Sequence, residues 1–228
     1  MSFLKLPENT QGRDFAVGDL HGRYADLQEA MRLVNFDPLK DRIISCGDLI
    51  DRGPDSPALA ALVDELWFFA VQGNHEQLFL ESFSGFVGLK ESEAPRTELA
   101  KDYITRVGGR WVMKTSDEEL YRIKDRLEQL PLVIEVTHQG QRFVFAHAEL
   151  PGGGKLTASD YDADLSRLEQ DRELILWSRA KAHQVALDSL DHRVEGVDYA
   201  FFGHARATPL TAQGYFFRFA NRVYIEAS

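Results

Sequence analysis

The chain has 228 residues, of which 44% are hydrophobic and 27% charged, the proportions of a soluble globular protein with a substantial core. Its formal net charge of −10 argues against the basic face that a nucleic-acid binder needs, but it does not exclude small phosphate substrates. No apolar run approaches the roughly 18 residues of a membrane span, and a single cysteine cannot form an internal disulfide, so we expect a cytoplasmic protein without a membrane partner.

The first third of the sequence repeats one pattern, in which an apolar run is followed by a polar, glycine-containing segment and an amphipathic stretch. The apolar runs are Asp14–Val17, Ile43–Cys46 and Trp67–Val71, and the amphipathic stretches between them are about Arg23–Val34 and Ser56–Glu65. A strand–loop–helix–strand unit of about 30 residues is a βαβ unit, and its crossover makes the strands parallel and adjacent. The sequence therefore predicts an α/β fold, with residues 1–12 as a polar lead-in.

The rest of the sequence predicts a helical insertion and more strands. Residues 84–130 contain two helical stretches, Thr97–Val107 and Asp117–Gln129, which we interpret as an insertion in a single domain that spans residues 1–228. After Pro131, Leu132–Val136 and Arg142–Phe145 are predicted to form a hairpin, and Leu174–Trp177, Tyr199–Phe202 and Tyr215–Ile225 are expected to add sheet and loop material.

Groups that can bind metal ions come directly after apolar runs. They are Asp19 and His21 in Gly-Asp-Leu-His-Gly, Asp48 in Gly-Asp-Leu-Ile-Asp-Arg-Gly, Asn74 in Gly-Asn-His-Glu, and the later histidines His147 and His204. Because ligands of open α/β sheets bind outside the carboxyl ends of the strands, we expect these groups to converge. Carboxylate, imidazole and carboxamide ligands suit hard or borderline divalent metals, so the sequence predicts a binuclear metal centre.

Each of these groups also has a structural interpretation when it is taken alone. An aspartate after glycine commonly caps a helix, and His147 or His204 can be a hydrogen-bonded core histidine. Cys46 and Arg52 have the spacing of cysteine-dependent phosphatases. That chemistry is disfavoured here because the two carboxylates inside the loop would repel a phosphate dianion and raise the pKa of the thiol. We therefore interpret Cys46 as a buried apolar residue.

Together, in this order and spacing, the three glycine-flanked motifs resemble the signature of the metal-dependent phosphoprotein phosphatase family, in particular its compact bacterial and bacteriophage lambda-type branch. The resemblance extends from about Phe15 to about Ile225. It implies a calcineurin-like metallophosphoesterase sandwich of sheets flanked by helices, classed as α/β or as α+β. It further implies one metal ion on Asp19, His21 and Asp48 and a second on Asp48, Asn74, His147 and His204, with Asp48 bridging. Mn²⁺ is the expected ion, with Fe or Zn as alternatives.

The same resemblance implies the catalytic residues. His75 matches the general acid that protonates the leaving oxygen, Asp51 matches the residue that orients it, and Arg52 and Arg179 match the groups that bind the substrate phosphate. For Arg179, a surface arginine after a strand is the alternative. A hydroxide shared by the two ions would attack phosphorus directly.

The function implied is hydrolysis of phosphoserine and phosphothreonine, with phosphotyrosine as an option, in phosphorylated proteins or peptides. Two alternatives stay open: hydrolysis of dinucleoside polyphosphates, and a scaffold that binds phosphopeptides without turning them over. Enzymes that cleave dinucleoside polyphosphates usually lack an acid at the position of Asp51, because their leaving group needs less help. The pair of His75 and Asp51 therefore favours the phosphatase.

Overall fold

The computed structural model describes residues 3–90, 92–150, 170–179, 193–206 and 217–226. In these ranges the strands are β1 (Phe3–Leu6), β2 (Asp14–Val17), β3 (Arg42–Ser45), β4 (Phe68–Ala70), β5 (Val133–His138), β6 (Gln141–Ala146), β7 (Tyr199–Arg206), β8 (Phe217–Phe219) and β9 (Arg222–Glu226). The helices are α1 (Tyr24–Leu33), α2 (Ser56–Ala61), α3 (Asn74–Phe86), α4 (Glu98–Asp102), α5 (Asp117–Glu128) and α6 (Arg172–Trp177). A 3₁₀ turn, Leu62–Asp64, follows α2, and a π-helical turn (Tyr103–Val107) and a 3₁₀ turn (Gly109–Lys114) lie between α4 and α5.

Among the described residues the strands form two sheets. The smaller sheet is parallel, in the order β2-β3-β4, and the larger has the order β1-β5-β6-β7-β9-β8. In the larger sheet β6, β7 and β9 run parallel to one another, while β5–β6 and β8–β9 are antiparallel hairpins. The loops that follow β2, β3 and β4 therefore share one edge of the smaller sheet, as the βαβ pattern predicts.

The two sheets pack face to face through an apolar layer to which both contribute. Its buried residues are Leu6, Ile44, Cys46, Val71, Ile134, Val136 and Phe145. Neighbouring residues of β3 show how the layer is built, because successive strand residues point to opposite faces. Ile44 faces the larger sheet, whereas Ile43 packs against the helices. Because β3 is covered on both faces, both of these adjacent residues are apolar.

Helices cover the outer faces of both sheets. Among the described residues, the core between the smaller sheet and α1–α5 contains the most buried apolar side chains. Helix α6 packs on the larger sheet with Ile175 and Leu176. In α5, Leu120, Ile123 and Leu127 recur at helical spacing on the buried face, and the side chain of Ser116 caps the helix by accepting the amide of Glu119. The prediction of a sheet sandwich flanked by helices is therefore confirmed.

Two elements differ from the sequence prediction. Residues 1–12 are not only a polar lead-in, because Phe3–Leu6 forms β1 and pairs with β5, a partner that lies far away in the sequence. Leu174–Trp177 belongs to helix α6 and not to a sheet. Four consecutive apolar residues fit a buried strand and a helix equally well. In the structure they form a helix that buries Ile175 and Leu176 against the larger sheet.

Other predicted elements occur close to their expected bounds. The β5–β6 hairpin turns at Gln139 and Gly140, both with positive φ, which is the backbone of a tight type I′ turn. The predicted helix Thr97–Val107 becomes α4 followed by the π-helical turn. Tyr215, at which the predicted segment Tyr215–Ile225 begins, lies outside the described residues.

The assignment of one domain with an insertion at about 84–130 stays a prediction. In the described ranges no helix is both long and apolar enough to cross a membrane.

Candidate metal centre

The ends of β2, β3, β4, β6 and β7 meet at one edge of the sandwich. The predicted ligands lie there: Asp19, His21, Asp48, Asn74, His147 and His204. All six side chains are buried, and none of them is more than 7% exposed. The structure thus brings together every residue for which the sequence predicts metal binding, from both sheets.

Within the described ranges, two groups of side chains could hold a metal ion, and Asp48 belongs to both. The first ligand group is His21, Asp48 and His75, in which Asp48 Oδ2 lies 3.6 Å from His21 Nε2 and 3.9 Å from His75 Nε2. The second ligand group is Asp48, His147 and His204, in which Asp48 Oδ1 lies 3.5 Å from His147 Nε2. The two oxygens of one carboxylate therefore face the two groups.

Asn74 and Asp19 lie next to these groups. The Oδ1 atom of Asn74 is 2.8 Å from His147 Nε2 and 3.0 Å from His204 Nδ1, which places it within the second ligand group. Asp19 is less central: its Oδ2 is 4.0 Å from His21 Nε2, and both its oxygens accept the backbone amide of His204. Gly203 packs so closely on Asp19 Oδ1 that a Cβ atom there would collide with it.

The donor chemistry of these residues fits divalent cations. Burial lowers the pKa of His21 and of His204 to about 4, so both rings are neutral at neutral pH and keep a lone pair for a metal. The carbonyl oxygens of Cys46 and Ile50 can only accept hydrogen bonds, so Nδ1 of His147 and of His21 donate to them. Their Nε2 atoms then face Asp48, the arrangement that orients histidine ligands in metal sites.

The charge of the shared carboxylate is favoured by its surroundings. Burial raises the pKa of Asp48, but the surrounding histidines and the backbone amide of His75 outweigh burial, and the pKa lies below its ordinary value. Asp48 is therefore an anion at neutral pH. An anionic carboxylate together with imidazole nitrogens and an amide oxygen is a ligand set for Mn, Fe or Zn.

Several site residues have a strained backbone. His21, Asp48, Asp51, Arg52 and His204 all have a positive φ, between 40° and 74°. Side chains other than glycine rarely adopt this left-handed conformation, which costs about 1–3 kcal/mol at each position. The surrounding structure must therefore hold these loops in place.

Glu76 holds the loop that carries Asp48. Its Oε2 accepts the backbone amides of Asp48 and Gly73 at 2.9 and 2.8 Å, and its Oε1 accepts the amide of Leu49 at 2.8 Å and that of Ile50 at 3.4 Å. Burial and the charge of Asp48 raise the pKa of Glu76 to about 7. This buried carboxylate ties the second glycine-flanked motif to the third, a role that the sequence did not indicate.

The predicted acid and its partner are in contact. His75 Nδ1 lies 2.7 Å from Asp51 Oδ2, and both side chains are buried. Burial lowers the pKa of His75, but the hydrogen bond with Asp51 and the charge of Asp48 outweigh burial and raise it above its ordinary value. His75 Nε2 points toward Asp48 Oδ2, 3.9 Å away, so the ring is oriented by Asp51 on one side and faces the centre on the other.

Two arginines lie at the mouth of the centre. Arg52 contacts His21 Nε2 at 2.7 Å and His75 Nε2 at 3.0 Å through its two terminal nitrogens, and its side chain is exposed. Arg179 Nε lies 3.2 Å from His204 Nε2 and is also exposed. The guanidinium groups therefore lie beside the first and the second ligand group, where they could bind an anion.

Sequence reasoning missed two aromatic residues that reach the site. Tyr103 donates its hydroxyl to Asp51 Oδ1 at 2.6 Å, and Trp111 donates Nε1–H to the same oxygen at 2.7 Å. Both lie in the turns between α4 and α5, within the region predicted as an insertion. Aromatic residues in such a stretch usually indicate core packing, and no spacing in the sequence connects them to Asp51.

Most of the chain is similar in sequence to a known protein family. Residues 15–205 match the family described as calcineurin-like phosphoesterase. The chain is 32% identical to serine/threonine-protein phosphatase 2 of Escherichia coli (strain K12) over 93% of this chain and 85% of that one, and 33% identical to serine/threonine-protein phosphatase 1 of Salmonella typhimurium over 93% and 84%. It is also 36% identical to a symmetrical bis(5'-nucleosyl)-tetraphosphatase of Nitrosospira multiformis, over 43% of this chain and 41% of that one.

A solved structure supports the fold. A serine/threonine phosphatase from Saccharomyces cerevisiae, described as similar to human phosphatase PP5, superposes with a TM-score of 0.63. The superposition covers 98% of this chain and 70% of that chain, at 19% sequence identity. At this identity the likeness concerns the arrangement of sheets and helices alone.

The Glu76 contacts predict the effect of replacing this residue with glutamine. In Glu76→Gln the amide NH₂ must face a backbone N–H, so we expect the free energy of unfolding in urea to fall by about 1–3 kcal/mol. Glu81→Gln, at an exposed position of the same helix, is the matched control and should change it by less than about 0.5 kcal/mol. Equal unfolding midpoints for the two variants would contradict the role of Glu76.

Proposed function

Because this chain belongs to the calcineurin-like phosphoesterase family, we propose that it is a phosphatase that hydrolyses phosphoserine and phosphothreonine in proteins or peptides. The observation that carries the proposal is the hydrogen bond between His75 and Asp51, beside a group of buried metal-ligating residues. A proton donor in this position is useful when the leaving group is an alkoxide, because an alkoxide is too basic to leave unprotonated.

In this proposal the buried ligands hold two divalent cations. One would be bound by Asp19, His21 and Asp48, and the other by Asp48, Asn74, His147 and His204. Divalent cations bound there would polarise the phosphoryl oxygens and lower the pKa of water toward neutrality. Mn²⁺ is the preferred ion of the proposal because mixed oxygen and imidazole ligands suit it, with Fe or Zn as alternatives.

The arginines would bind and orient the phosphate. A guanidinium group presents two parallel N–H donors to two phosphate oxygens, a geometry that a lysine cannot reproduce. Arg52 approaches the centre beside His21 and His75, and Arg179 approaches it beside His204. A phosphate bound by Arg52 would lie close to His75 Nε2, which Arg52 contacts at 3.0 Å.

His75 would then give a proton to the leaving oxygen. Asp51 accepts the Nδ1 hydrogen, which fixes the orientation of the ring and favours its protonated form. After proton transfer to the seryl or threonyl oxygen, the ring is neutral and regains a proton from solvent before the next cycle.

The alternative function is hydrolysis of dinucleoside polyphosphates, and the similarity to a symmetrical bis(5'-nucleosyl)-tetraphosphatase supports it. Two observations favour the protein phosphatase. The named serine/threonine phosphatases match over 93% of the chain, whereas the tetraphosphatase matches over 43%. A phosphate or nucleotide is also a better leaving group than an alkoxide, so it has less need of the oriented His75. The remaining alternative, a scaffold that binds phosphopeptides without turning them over, would have no need of a proton donor.

The role of His75 predicts a loss of turnover in His75→Asn. With Mn²⁺ present, we expect kcat for a phosphoserine peptide to fall by about 10²–10⁴-fold, the usual contribution of general acid catalysis. His138→Asn, at the exposed end of β5, is the control and should keep the wild-type rate. Chelation of divalent metals should abolish activity in all three proteins. Equal, metal-independent rates would eliminate the proposal that this protein is an enzyme.

The substrate class is tested by turnover of two substrates at equal enzyme and Mn²⁺ concentration. We expect kcat/KM for a phosphoserine or phosphothreonine peptide to exceed that for diadenosine tetraphosphate, because His75 and Asp51 assist an alkoxide. A phosphotyrosine peptide in the same assay measures how strongly the site prefers phosphoserine and phosphothreonine over phosphotyrosine. Preference for the dinucleotide would contradict the protein-phosphatase proposal.

A further inference from the structure

The segment between α4 and α5 contacts the two residues that flank the proton donor. Tyr103 and Trp111, which we call the aromatic clamp, both donate to Asp51 Oδ1. The next residue is also held, because the amide of Arg52 donates to the carbonyl oxygen of Gly108 at 3.3 Å. A Cβ atom at Gly108 would lie 2.8 Å from the nitrogen of Arg52, so only glycine allows this approach.

The aromatic clamp holds the carboxylate of Asp51 in one orientation. Its Oδ1 receives two hydrogen bonds from the clamp, and its Oδ2 receives one from His75 Nδ1. Asp51 is fully buried, so no solvent replaces a missing donor, and rotation of the carboxylate would break all three bonds. Burial and the charge of Asp51 raise the pKa of Tyr103 well above its ordinary value, so its hydroxyl remains a donor.

The clamp is itself fixed to the helix that carries His75. The ring of Trp111 stacks on Phe79 at 5.7 Å and 6°, and the ring of Tyr103 stacks on Phe86 at 5.8 Å and 21°. Both phenylalanines lie in α3, and His75 lies in its first turn. The contacts therefore form a closed path from α3 through the clamp and Asp51 back to His75 in α3.

We propose that Tyr103 and Trp111 are positioning residues that fix the Asp51 carboxylate and thereby aim His75 at the leaving oxygen of the substrate. The inference rests on the proposed function of His75 as proton donor. Two neutral donors satisfy the buried carboxylate without cancelling its charge, so Asp51 remains available to the imidazole. The clamp therefore acts on the departure of the alcohol and not on metal or phosphate binding.

A merely structural role of the clamp makes a different prediction. If the two donors only satisfy a buried carboxylate, their loss lowers stability and reduces the rate equally for all substrates. If they aim His75, their loss matters in proportion to the need of the leaving group for a proton. The two cases are separated by measuring kcat on phosphate esters that are hydrolysed at the same site but differ in whether their leaving group is good or poor.

The test uses Tyr103→Phe, Trp111→Phe and the double variant, which remove the donors and keep aromatic rings in the core. With saturating Mn²⁺, we expect kcat for a phosphoserine peptide to fall about tenfold in each single variant and about 100-fold in the double variant. The kcat for p-nitrophenyl phosphate, whose leaving group departs without a proton, should change less than about twofold. Phenyl phosphate should lie between them, and KM should stay unchanged.

Two matched control variants remove a tyrosine hydroxyl and a tryptophan indole at positions away from the centre. Tyr121→Phe deletes the hydroxyl of a half-exposed tyrosine that packs on Phe83. Trp67→Phe deletes an indole that contacts the ring of Phe36 edge-to-face and donates to Glu65 near the start of β4, at the opposite end of the smaller sheet from the centre. Both should keep wild-type rates on every substrate. Equal losses on all substrates in the clamp variants would overturn the inference.

A double-mutant cycle separates this inference from the proposed function. In the His75→Asn background, adding Tyr103→Phe should cause no further loss with the phosphoserine peptide, because the clamp acts through His75. A further tenfold loss in that background would overturn the inference while His75 keeps its role. Full activity of His75→Asn with the peptide would overturn the proton-donor role and the clamp together.

Discussion

The Asp48 carboxylate lies between two sets of buried imidazoles, and one set comes from each side of the sandwich. Its Oδ2 faces His21 and His75, which follow strands of the smaller sheet, and its Oδ1 faces His147 at the end of a strand of the larger sheet. Because both sheets supply neighbours of this one group, the centre exists only when the sheets pack against each other. The apolar layer around Ile44 and Phe145 is therefore a condition of the site as well as of the fold.

Holding that carboxylate in place requires a strained backbone and buried charges. The left-handed conformations of Asp48, Asp51 and Arg52 are unfavourable by themselves, and each is held by contacts from other elements. Glu76 binds the amides of the Asp48 loop, and the segment between α4 and α5 binds Asp51 and Arg52. The region predicted as an insertion beside the site thus contributes directly to the geometry of the proposed proton donor.

The sequence predicts much of this arrangement because its pattern is local. Apolar runs at βαβ spacing place Asp19, Asp48 and Asn74 at one sheet edge, and the structure brings the later histidines to them. The contacts of Tyr103 and Trp111 could not be predicted, because they depend on packing between residues that lie more than 50 positions from Asp51. The predictions at the strand Phe3–Leu6 and at the helix Arg172–Trp177 were wrong for the same reason. The conformation of such short apolar segments is decided only by their tertiary partners.

Manganese binding at equilibrium, followed by electron paramagnetic resonance, tests most directly whether one carboxylate serves both metal positions. The wild-type protein should bind a pair of Mn²⁺ ions that give the spectrum of a magnetically coupled pair, because a bridging carboxylate keeps such ions about 3.5–4 Å apart. In Asp48→Asn both ions should bind more weakly and the coupled spectrum should disappear. A single ion in the wild-type protein, or a coupled pair that persists without the Asp48 carboxylate, would contradict the account.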